Sequence, residues 1–240
     1  MSYDPSQQQA TTYQTGAAVD AGLQAHMRSV YNTMGAGLVV TGAVAFATAN
    51  VEPLFNLIFK TPLMWVAAFA PLAFILFGFT PSRIARLPAA QIKTMFYVFA
   101  ALMGLSMASI FMNFTATSIA RTFFITAAAF AATSLYGYTT KKDLAAMGSF
   151  LFMGLIGIFF ASIVNIFIGS SALQFAVSVL GVLIFTGLTA WETQRLKEAY
   201  AYNRGMAEAN SKLAVMGALN LYLNFINLFQ SLLHLTGSQR

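Results

Sequence analysis

The stretch LNLYLNFINLFQSLLH, residues 219–234, decides how the rest of the chain is read. Its polar residues are Asn220, Asn224, Asn227, Ser231 and His234, at steps of 4, 3, 4 and 3. With about 3.6 residues per helical turn, these steps stack the polar side chains on one face of a helix whose other faces are Leu, Tyr, Ile and Phe. Such a helix is apolar enough to lie in a bilayer, but its polar stripe must face protein or water. Two uses fit the stripe. Interhelical hydrogen bonds could fix the rotation of the helix, or the stripe could line a polar pathway.

The remainder of the chain agrees with a membrane setting. Of 240 residues 58% are hydrophobic and 8% charged, against about 25% charged in a soluble domain. Apolar runs at 30–49, 61–79, 94–114, 119–138, 144–168, 172–191 and 213–235 come close to the ~20 residues that cross a hydrocarbon core. The expected fold is an all-α integral membrane protein, a seven-transmembrane-helix bundle over 28–240 with the last helix central or pore-facing. Six spans with a re-entrant last segment is the alternative count. Residues 1–27, polar and rich in Gln, Thr and Ala, read as a disordered cytoplasmic tail.

A net charge of +6 suggests nucleic acid only until the charges are placed. Ten of the Lys and Arg residues fall in the tail and in the loops after the second, fourth and sixth runs, and three (Lys60, Arg121, Arg240) on the other side. That bias puts the N-terminus in the cytoplasm and, with seven spans, the C-terminus outside. It points to membrane lipid as the partner, through anionic headgroups, and not to nucleic acid.

Several chemistries are excluded. There is no cysteine, and His26 and His234 lie too far apart in sequence to form a zinc cluster. HExxH and GxSxG are absent, and no run holds two carboxylates, so no enzyme and no cofactor are expected. Of seven acidic residues Glu192, in GLTAWETQRLKE, directly follows the apolar run 172–191. It is either the first interfacial residue or, if the sixth span sits deeper, a buried carboxylate facing a partner or a water cavity.

The ordered set HMRSVYNTMGAGL, GYTTKKDLAAMGSFLFMGLIG, SIVNIF, GLTAWETQRLKE and LYLNFINLFQSLL resembles the Bax inhibitor family in its bacterial branch, and the resemblance extends over nearly all of 26–235. The resemblance implies seven helices around a central last one and a calcium leak influenced by pH in a bacterial inner membrane, with Ca²⁺ as the transported ion. It also implies an acidic pair, matched at its first position by Glu192 and at its second by Asn224, where the family pattern has Asp. Asn220 and Asn227 would extend the ion path, and Glu192 would be a weak calcium ligand. A basic partner after the second span would be Arg83 or Arg86. Some bacterial relatives are understood to modulate a membrane-anchored AAA protease, which gives a non-conducting alternative that would use the tail.

Replacing Asp by Asn removes one of two coupled carboxylates and an anionic oxygen ligand for calcium. Geometry leaves the partner of Glu192 open. Asn224 lies 11 residues into the last run, about 16 Å deep at ~1.5 Å per residue, so Glu192 reaches it only if the sixth span sits deeper. Otherwise Glu192 meets Asn220.

Overall fold

The computed structural model describes residues 5–203 and 205–238, with side chains from residue 21 onward. Ten helices follow one another: α1 (Pro5–Asn50), α2 (Glu52–Phe59), α3 (Leu63–Gly78), α4 (Pro81–Arg86), α5 (Ala89–Met107), α6 (Ile110–Asn113), α7 (Ala116–Thr139), α8 (Ala145–Ile168), α9 (Ser171–Tyr202) and α10 (Ala207–Thr236). Of the expected tail, residues 1–4 lie outside the described residues. The boundary drawn at residue 27 is too late, because residues 21–27 are helical and His26 and Met27 are buried.

Local chemistry sets the helix ends. Thr115 and Ser170 accept hydrogen bonds from the backbone N–H of Ser118 and Leu173, capping α7 and α9. Gly169, with φ of 66°, closes α8 in the left-handed region, and Gly205, with φ of 81°, turns the chain between α9 and α10. Pro81 opens α4 within its first turn, where its missing N–H costs nothing.

Six of the described helices are long and apolar enough to cross a membrane. The expected second span is different: α2 and α3 meet at 82° across Lys60, Thr61 and Pro62. α3 alone has 16 residues, roughly 24 Å at ~1.5 Å per residue and short of the ~30 Å core. The bent element is therefore near the start of the chain. The last segment is one continuous 30-residue helix, and no re-entrant loop is found there.

α10 is the most deeply covered of the spans, with 67% of its apolar window buried. It packs against α1, α5, α7 and α9, and its partnership with α9 is the most extensive. Tyr222 of α10 joins the first three elements of this core. Its hydroxyl lies 2.6 Å from that of Thr41 on α1, which donates to the carbonyl of Ala100 on α5 at 2.8 Å. At the basic end of the bundle, Glu208 accepts from the N–H of Ala89 at 2.8 Å and Lys212 donates to the carbonyl of Ala85 at 3.0 Å. One turn of α10 thus supplies the cap that the start of α5 lacks and satisfies carbonyls at the end of α4.

Close helix approach depends on small residues. A β-carbon on Gly137 would overlap the backbone carbonyl of Ala190, so α7 and α9 touch main chain to main chain. Gly137→Ala is expected to push these helices apart and destabilise the purified protein by about 1–3 kcal/mol, read as a lowered Tm in detergent. An unchanged Tm would show that the contact is not tight.

Candidate membrane-embedded polar site

Within the resembling segment WETQRLK each side chain has a separate use on α9. Trp191 fills the space left by Gly148 of α8, where a β-carbon would overlap its ring. Thr193 lies 3.0 Å from the hydroxyl of Ser134 on α7. Gln194 accepts from the N–H of Leu144 at 2.9 Å and donates to the carbonyl of Lys142 at 2.8 Å, holding the turn between α7 and α8. Leu196 packs onto Gly217 of α10, and Lys197 donates to the carbonyl of Tyr138 at 2.9 Å. The segment is a seam joining α9 to three other helices.

Glu192 sits inside that seam and is 3% exposed, so its carboxylate is buried between helices. Its Oε1 accepts from Nδ2 of Asn220 at 2.8 Å, and its Oε2 lies 3.5 Å from Nε of Arg195. The partner is Asn220, the shallower of the two candidates. Among the described residues the side chain of Asn224 makes no hydrogen bond, although it lines the same cavity as Glu192.

That cavity, about 280 Å³, lies between α8, α9 and α10 and is walled by Glu192, Arg195, Asn220, Asn224 and Asn227, with Phe152 and Leu155 from α8 opposite. A second cavity of about 430 Å³ adjoins it, sharing the lining residues Leu155, Phe185 and Asn227. Its polar lining is Ser162, Gln174, Ser178, Gln230, Ser231 and His234. All the stripe residues therefore border one or other cavity. Asn227 and Ser231 bond to carbonyls four residues back on α10, at 2.8 Å each, and among the described residues Asn220 is the stripe residue whose side chain hydrogen-bonds to another helix. Hydrogen bonds that pin helix to helix do not account for the stripe.

The arginines expected as partners are elsewhere. Arg83 and Arg86 are exposed on α4 with no carboxylate within 4.0 Å among the described residues. Arg195 takes the place of both, stacked 5.3 Å from the centre of the Trp191 ring. Its spacing of three residues from Glu192 was open to inspection, since residues three apart are neighbours on a helix. No group of three His, Asp or Glu side chains able to hold a metal ion occurs among the described residues.

Comparison with known proteins agrees with the arrangement of motifs. The family model described as "Inhibitor of apoptosis-promoting Bax1" matches residues 23–240. The chain belongs to the Bax inhibitor family. It is 46% identical to an uncharacterized protein, RP147, of Rickettsia prowazekii over 230 residues, covering 96% of both chains. It is 48% identical to an uncharacterized protein of Caulobacter vibrioides over 233 residues, covering 93% of this chain and 92% of that one. Identity to the inner membrane protein YbhL of Escherichia coli is 44% over 222 residues, 92% of this chain and 94% of the relative. As a Bax inhibitor family member with six long apolar helices, the chain is an integral membrane protein.

Asn220→Ala leaves one oxygen of a buried carboxylate without its donor, and a loss of about 1–3 kcal/mol follows from the desolvation penalty. Asn224→Ala, with no such bond, should lose less. Chemical unfolding in detergent compares them, and equal losses would refute Asn220 as the anchor of Glu192.

Proposed function

We propose that this chain is a cation leak pathway of a bacterial inner membrane, with calcium as its cargo and Glu192 as its control point. The observation that carries the reading is the adjacency of the two cavities: one polar face of α10 borders both, and Asn227 lines each of them. The name of the relative YbhL supports the inner membrane. The excess of basic residues supports a cytoplasmic N-terminus and, with the bent α2–α3 pair counted as one crossing, a periplasmic C-terminus in a seven-span bundle around α10.

The chemistry follows from what Glu192 already holds. Arg195 is a tethered cation at the position where a mobile one would first meet a carboxylate, and Asn220 occupies the other oxygen. A calcium ion entering from that end exchanges with the guanidinium and then meets the neutral carbonyl oxygens of Asn224 and Asn227. Neutral oxygens bind calcium more weakly than carboxylates, as a leak requires, since an ion held tightly does not leave. A proton on Glu192 removes the charge that attracts both Arg195 and the ion, so flux depends on pH.

Calcium flux, read with a calcium-sensitive dye trapped in liposomes carrying the purified full chain, tests this. Arg195→Gln should raise calcium flux several-fold, Asn227→Leu should block it, and Glu192→Gln should make it insensitive to pH. Asn224→Asp places a second carboxylate in the cavity, and the coupled pair should give a steeper pH response than the parent. Flux no greater than in protein-free vesicles would overturn the reading. Removal of residues 1–20 should leave flux unchanged, whereas a modulator of a membrane protease acting through its tail would lose its partner.

A further inference from the structure

We propose that the basic end of the bundle binds one anionic phospholipid of the surrounding bilayer, with its phosphate at Arg28 and Lys93 and one acyl chain between α1 and α7. This site lies apart from the cavities along α10 and does not depend on the leak reading.

α1 and α7 each pack on α10, and the space left between them is a cavity of about 670 Å³, within the ~300–1,000 Å³ usual for small-molecule sites. Its walls are largely apolar: Met27 on α1 faces Phe130, Ala131 and Leu135 on α7. Its polar atoms are partly used up, because the hydroxyl of Tyr31 is hydrogen-bonded to that of Ser134 across the gap. Ala131 and Leu135 are exposed on the outer surface of a membrane helix, so the slot borders lipid.

A second cavity of about 360 Å³ adjoins it and has the opposite character. It shares Arg28 and Asn32 with the slot and is completed by Ser29, Thr33 and, from α5, Lys93 and Tyr97. Among the described residues no acidic side chain lines either cavity, and neither Arg28 nor Lys93 has a carboxylate within 4.0 Å. Lys197 adds a third cation close by, 5.8 Å from the ring centre of Tyr138, which lines the slot.

An apolar slot joined through Arg28 to a dicationic polar chamber fits a molecule with a hydrocarbon chain at one end and negative charge at the other. A free phosphate would leave the slot empty. A zwitterionic headgroup would bring its own cation against Arg28 and Lys93. Asn32, Ser29 and Tyr97 supply neutral donors for phosphate or glycerol oxygens. Lipid presents that combination at the depth of Arg28 on α1 and Lys93 on α5.

Native mass spectrometry of the delipidated full chain, titrated with phosphatidylglycerol and with phosphatidylcholine of the same chains, tests the site. Wild type should retain one phosphatidylglycerol in preference to phosphatidylcholine. Arg28→Ala and Lys93→Ala should each reduce that preference about five-fold, the effect of roughly 1 kcal/mol per basic residue. Both side chains are exposed, so the variants should fold, with circular dichroism as the check. Ala131→Trp fills the slot without touching the charges and should abolish retention of either phospholipid at this site. Equal retention of the two lipids by wild type, an unchanged preference in the charge variants, or selective retention of a free fatty acid over phosphatidylglycerol would each overturn the proposal.

Discussion

A carboxylate in the interior of a membrane protein must be compensated, and the compensation of Glu192 organises this one. Charged groups at bilayer depth cost several kcal/mol unless they are paired or hydrated. Here one oxygen is bound by Asn220 and the other lies beside Arg195, so the charge ties α9 to α10 across the most extensive helix pair of the bundle. Because α10 also packs on α1, α5 and α7, fixing its rotation at Asn220 fixes the direction of the whole polar stripe. The cavities follow from that rotation.

The stripe itself was readable from the sequence, because a 3–4 spacing of polar residues in an apolar run has one geometric meaning. Six of the expected spans coincide with long helices. The depth of Glu192 was not readable. An apolar run ends where polar residues begin, and Thr193, Gln194 and Lys197 look like interface chemistry until their partners on α7 and in the α7–α8 turn are known. Those partners are 50 or more residues away in the chain, beyond the reach of any local pattern. For the same reason the resemblance pointed to Asn224, whereas packing brought Asn220 to the carboxylate.

The bend between α2 and α3 is a different kind of miss. Hydropathy averages over a window and does not register direction, so an apolar run containing Lys60, Thr61 and Pro62 reads as one span. Pro62 disfavours helical geometry at Thr61, where the break falls. Farther along, the exchange of Arg83 and Arg86 for Arg195 as the neighbour of Glu192 replaces a contact between distant segments with one inside a single helix. A pair on one helix persists through any movement of α4, which leaves the charge compensated whatever the second span does.

α8 has a further consequence. Almost none of its apolar window is buried, and its main protein contact is α9, yet it forms one wall of both polar cavities. With 24 residues it is about 36 Å long, more than the ~30 Å of a typical hydrocarbon core, so it must tilt to match the bilayer. A helix anchored along one side and solvated by lipid on the others takes its tilt from membrane thickness. The width of the space between α8 and α10 is thus set jointly by the chain and by the acyl chains around it, and a thinner or thicker bilayer reshapes the cavity without altering a residue.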